Sequence, residues 1–196
     1  MRGRRALLGW TGDTHGLDEF LRGFAVLGGA ATTPTEDQMA PLMEYVYSLR
    51  APSNPHPPEP SLVEKGKALF TSKGCIGCHG GPRGAGKRAY ALDEIGTDPA
   101  VARWANPSLG TQACRGVPTP AGGLTRGIKA PRLVGMWTLD RLLHDGTLSS
   151  LQQLFCMNGG RPAAGVEPLR TDGHAFTCDA LTDAEKDALI AHLLAH

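Results

Sequence analysis

Residues 75–79 read Cys75-Ile76-Gly77-Cys78-His79, two thiols and an imidazole within about one helical turn of each other. Thiols at that separation can each add across one of the two vinyl groups of a single porphyrin, and the histidine that follows then lies beneath the iron. The pattern predicts one covalent haem c, held by Cys75 and Cys78, with His79 as proximal ligand. The second ring nitrogen of His79 is expected on a backbone carbonyl that fixes the ring's orientation. A Cys-x-x-Cys pair has two structural rivals. A zinc site needs two further ligands at similar close spacing, whereas Cys114, Cys156 and Cys178 are scattered singly. A thioredoxin-like pair follows a strand in a βαβ unit, whereas this motif follows a helical pattern and enters Gly80-Gly81-Pro82-Arg83-Gly84.

The elements that must position these residues are also legible. Ser61-Leu62-Val63-Glu64 has capping-box spacing, and Gly66, Leu69 and Phe70 then share one helical face, which predicts a helix from about Leu62 to Ser72. Thr182-Asp183-Ala184-Glu185 repeats the pattern ahead of Leu189, Ile190, Leu193 and Leu194 and predicts a closing helix. Between Ala51 and Pro60 half the residues are proline, which favours a stiff, extended, solvated linker. The chain is therefore divided into residues 1–50, a linker over 51–60, and residues 61–196.

The first segment echoes the tail. Trp10-Thr11-Gly12 precedes Leu17 by the same step that separates His144-Asp145-Gly146 from Leu151. Thr35-Glu36-Asp37-Gln38 opens a helix carrying Leu42, Met43, Val46 and Leu49, in register with the helix that Thr182 opens. This reads as an internal duplication whose first copy lacks its front half and has no haem motif. Met39 and Met43 are expected as core residues of that copy.

A formal net charge of +1, with no basic cluster beyond Met1 to Arg5, argues against a nucleic-acid partner. The 26 glycines and 15 prolines among 196 residues imply many loops around few helices. No apolar run approaches the ~20 residues needed to span a bilayer. The opening residues have neither an apolar centre nor a small-residue cleavage site, so no export signal is visible. Export to the periplasm or a similar compartment is nevertheless expected, because bacteria attach haem to cysteine thiols on that side of the membrane. A start further upstream is expected with it.

Glu64-Lys65-Gly66-Lys67-Ala68-Leu69-Phe70 leading into the motif looks like the opening of a class I cytochrome c domain. Ile95-Gly96-Thr97-Asp98-Pro99, then Lys129-Ala130-Pro131-Arg132-Leu133-Val134-Gly135-Met136-Trp137, then Leu143-His144-Asp145-Gly146-Thr147 and Leu151 follow in an order that resembles the C-terminal haem domain of the bacterial di-haem cytochrome c peroxidase superfamily, which includes the methylamine-utilisation di-haem enzymes. The resemblance covers about Ser61 to His196 and extends to the tail of a sister domain over residues 1–50. It implies an all-α, class I cytochrome c-like fold with long loops, preceded by a truncated half-domain, and first and last helices crossing beside the haem. It further implies a methionine as sixth iron ligand from the segment after His144, which selects Met157. Met136 is the second choice and is expected to pack in the core. His144 is expected near the haem edge, and His144 and His174 as satisfied structural residues. His192 stands where related terminal helices carry tyrosine.

An exported setting favours one disulfide and one odd thiol among the three remaining cysteines. Cys156 with Cys178 closes the tighter loop, but Cys114 could pair with either. No acid–base pair or nucleophile constellation stands out, so no catalytic residue is expected. The leading expectation is a carrier of single electrons through one haem, exchanging them with a redox partner protein or an adjacent haem domain. The alternative is a fragment or subunit of a di-haem cytochrome c peroxidase-like oxidoreductase. A zinc-stabilised interaction module without redox activity is the third class.

Overall fold

The computed structural model describes residues 16–86, 88–91, 117–118, 124–125, 127–143, 146–162 and 173–196. Cys114, His144, Asp145, the segment Ile95 to Pro99 and the start of the proposed repeat at Trp10 lie outside them. The described chain is mostly helical, as expected for the all-α class. Its helices are α1 (Leu17–Leu27), α2 (Glu36–Ser48), α3 (Pro60–Ser72), α4 (Ile76–His79), α5 (Leu151–Leu154), α6 (Phe176–Asp179) and α7 (Asp183–Leu194), with tighter single turns at Pro82–Gly84 and Met136–Thr138. Four short strands are added: β1 (Ala89–Ala91) pairs antiparallel with β4 (Gly127–Lys129), and β2 (Val117–Pro118) with β3 (Leu124–Thr125). No described helix is long and apolar enough to cross a membrane.

Helix starts follow local side-chain chemistry. Thr182 caps α7 with the expected box, its hydroxyl accepting from the Glu185 N–H while the Glu185 carboxylate accepts from the Thr182 N–H. Thr35 and Gln38 do the same for α2. The start of α3 differs from expectation. The cap is Glu59, whose carboxylate accepts from the N–H groups of Ser61 and Leu62, and Pro60 occupies the first helical position, where its missing N–H leaves nothing unpaired. Glu64, no longer a capping residue, faces Lys67 instead.

The packing centre is the crossing of α3 and α7. It is possible because residue 66 is glycine: a Cβ there would stand 1.9 Å from the Ala188 carbonyl oxygen and 2.8 Å from Cβ of His192. Below the crossing, Leu189, Ile190 and Leu193 of α7 join Met136, Leu142, Leu148, Leu151 and Phe155 in one buried cluster. Each such side chain contributes about 1.5–3 kcal/mol on leaving water. Met136 is therefore a core residue, as expected. The Lys73 ammonium lies 2.8 Å from the Glu185 carboxylate, clamping the end of α3 to the start of α7. Gly135 N–H donates to the His196 carbonyl, tying the Met136 turn to the end of the chain.

α2 packs against α1 and makes at most sparse contact with later elements. Met39 is fully buried, but Leu42 and Leu49 of the expected apolar stripe are exposed, because one short helix covers only part of that face. The proline-rich segment has no regular structure, yet it is not simply solvated. The Asn54 side chain donates to the Leu194 carbonyl at 2.8 Å, and Pro58 lies along a groove formed with Leu62, Ile190 and Leu194. Of the disulfide pairings open to the sequence, Cys156 with Cys178 is the one formed, with Cα atoms 5.1 Å apart.

Candidate functional site

The chain reverses between α3 and α4 at Gly74, whose φ of +82° is cheap only for glycine. From there the backbone winds one turn, with His79 N–H donating to the Cys75 carbonyl at 3.0 Å, so Cys75, Cys78 and His79 are gathered on a single short helix. Both cysteines are half-buried thiols outside any disulfide. Burial, chiefly, raises the Cys75 pKa, and the neighbouring Cys78 adds to the rise. The far end of α4 is capped by a residue that sequence reasoning missed. The Tyr90 hydroxyl lies 3.1 Å from the Gly77 carbonyl and 3.3 Å from that of Cys78, and the ring is buried under the β1–β4 ladder.

His79 is aimed by its own loop. Its Nδ1 lies 2.8 Å from the Gly84 carbonyl and must donate to it, which leaves the lone pair of Nε2 available. The loop that presents this carbonyl is stitched at both ends: Gly81 N–H donates to the Ala85 carbonyl, Leu133 N–H to Arg83, and Gly86 N–H to Ala130. Gly84 has φ +72°, and a Cβ there would stand 2.9 Å from Cβ of Leu133. Burial pushes the His79 pKa below its ordinary value against the opposing pull of the Gly84 and Pro131 carbonyls, a shift toward the neutral form that a metal binds.

Around His79 runs a row of rings. Phe70 stands 6.4 Å away between centroids and His192 5.3 Å from Phe70; His174 likewise stands 6.4 Å from His79, with Phe176 next to it. A cleft of about 340 Å³ is bounded by Phe70, Ile76, His79, Leu133, His192 and Leu193, mostly apolar groups able to shed water from a flat hydrophobic ligand. Burial, with the charges of His79 and Arg161, pushes the His174 pKa down to about 4.

The structure brings Cys75, Cys78 and His79 together and puts Met157 on the edge of the apolar cluster, packed against it. His174 departs from expectation. It is not a satisfied structural histidine, since its Nδ1 is buried without a hydrogen-bond partner, as are Trp137 Nε1 and His192 Nδ1. Buried polar atoms of this kind are rare and call for a partner. Together with two thiols on one turn, an oriented neutral imidazole and an apolar cleft beside it, they suit a porphyrin. No group of three or more His, Cys, Asp or Glu among the described residues could hold a metal ion without one. Comparison of the chain with protein-family models, curated proteins and solved structures finds no match.

Proposed function

We propose that the chain is a class I cytochrome c-type domain that carries single electrons on one covalent haem c. The observation that carries this reading is the orientation of His79 by the Gly84 carbonyl on the same helical turn as two thiols. When bound, haem supplies reversible one-electron exchange between ferric and ferrous iron. The residues do the rest. Cys75 and Cys78 fix the macrocycle to α4, His79 presents Nε2 to one face, and Phe70, Leu133 and Leu193 keep water from it. Gly66 lets α7 come close enough to α3 to form that wall. The Cys156–Cys178 disulfide supports an exported, oxidising location.

The redox partner in this reading is a separate protein or an adjacent haem domain. The alternative, a piece of a di-haem peroxidase-like oxidoreductase, is favoured by the internal echo: α1 and α5 both open at the matched leucines, Leu17 and Leu151, and α2 and α7 both open on a Thr capping box. Production with haem-attachment machinery, followed by mass measurement under denaturing conditions, tests the shared core of both readings. A mass increased by one haem, with a c-type reduced spectrum, is expected; the bare polypeptide mass would end them. A second Cys-x-x-Cys-His motif in the reading frame upstream, with peroxide turnover by the chain that includes it, then separates the enzyme from the carrier.

A further inference from the structure

We propose that His174, on the loop ahead of α6, is the second axial ligand, so that the haem sits between two imidazoles and Met157 remains a packing residue. The inference rests on the haem reading above and deepens it.

The spacing is the first support. An imidazole nitrogen binds a transition metal at about 2 Å and lies about 1 Å from its own ring centre, so two rings on opposite sides of one metal have centres roughly 6 Å apart. The His79 and His174 centroids are 6.4 Å apart, with the ring planes inclined at 43°. A tilted pair of rings in mere contact falls in the same range of about 4.5–7 Å. The unpartnered nitrogen favours coordination, with Nδ1 as the binding atom, because that atom then gains a partner. Packing alone would leave His174 Nδ1 buried with nothing to bond, a desolvation cost of about 1–3 kcal/mol that stacking does not recover.

The backbone agrees. His174 has φ +60°, a left-handed conformation that histidine adopts more readily than most side chains. The surroundings hold it there. The Arg161 guanidinium donates to the carbonyls of Gly173, His174 and Leu154. The Thr177 hydroxyl lies 2.7 Å from both the His174 and Leu154 carbonyls, and the Cys156–Cys178 bridge ties α6 to the end of α5. A residue whose backbone is held from three directions, with its ring centre 6.4 Å from that of the proximal histidine, is what a ligand loop requires. Met157 directly follows Cys156 of the same bridge, but its side chain packs against the apolar cluster, as most methionines do.

The matured holoprotein tests this directly. Ferric spectra and reduction potentials are recorded for the parent chain and for Met157→Leu, His174→Ala and His174→Met. The parent is expected to be low-spin without the far-red thioether-to-iron charge-transfer band, and Met157→Leu to match it in spectrum and potential. His174→Ala should become high-spin and return to the parent spectrum on adding free imidazole. His174→Met should gain the thioether band and a higher potential. A thioether band in the parent that Met157→Leu abolishes, or a His174→Ala protein that stays low-spin without added imidazole, would overturn the assignment while leaving the haem in place. Absence of covalent haem from every form would sink the parent reading and this one together.

Discussion

Gly66 does in one residue what no side chain could: it lets two helices touch backbone to backbone at the point where the site is walled. Gly66→Ala places a methyl carbon 1.9 Å from the Ala188 carbonyl, so α3 and α7 must separate. Overpacking of this severity is expected to cost about 3 kcal/mol or more, read as a lowered urea midpoint of the holoprotein. Gly23, on an exposed face of α1 with nothing near its absent Cβ, is the control, and alanine there should stabilise by about 0.5–1 kcal/mol. Equal effects at the two positions would deny the crossing any special role. At this scale the sequence was readable where chemistry is local. The thiols, His79, Gly66 and Phe70 all follow from spacing within one or two helical turns. Tyr90 was not readable as a site residue, and His174 was set aside as a structural histidine, because only tertiary pairing brings either of them to α4.

Element boundaries were legible to the extent that one side chain decides them. Thr182 and Glu185 form their box as the spacing predicts, whereas at α3 two carboxylates competed for the role. Glu59 won because Pro60 already sets the first helical φ and needs no acceptor. Glu185 carries a second duty in bonding Lys73, which chiefly holds its pKa below the ordinary 4.5, aided by the Thr182 N–H. A carboxylate whose folded pKa is depressed adds stability that is whole above the ordinary value and is lost as pH falls through the lowered one. Glu185→Gln is therefore expected to lower the unfolding temperature slightly at neutral pH, with the gap to the parent closing as pH falls below the ordinary carboxylate value. A gap that persists in acid would assign the loss to helix propensity rather than to the ion pair.

On the scale of the whole chain, two constraints set what can be removed. The Cys156–Cys178 bridge closes a loop across a sequence separation of 22, and replacing both cysteines with serine is expected to cost about 3 kcal/mol against denaturant. The same change should loosen the loop that carries His174, so the ferric spectrum of the double variant should show a larger high-spin fraction than the parent. The second constraint is the proline-rich segment. Composition marks residues 51–60 as a boundary, yet Asn54 bonds the last turn of α7, Pro58 lies on the α3–α7 groove and Glu59 caps α3, so physically the segment belongs with residues 61–196. Pattern alone could not show this, because a proline run reads as extended whether it is solvated or laid along a surface. A chain beginning at Ala51 is expected to keep the haem spectrum and the denaturation midpoint of the full protein, since α1 and α2 contact mainly each other. A chain beginning at Ser61 should lose about 1–2 kcal/mol through the Asn54 bond and the Pro58 contact alone, read from urea unfolding of the two holoproteins. Matching midpoints for the two truncations would return the segment to the role of a plain tether; a large loss already at Ala51 would mean that the first two helices are part of the haem domain's own support.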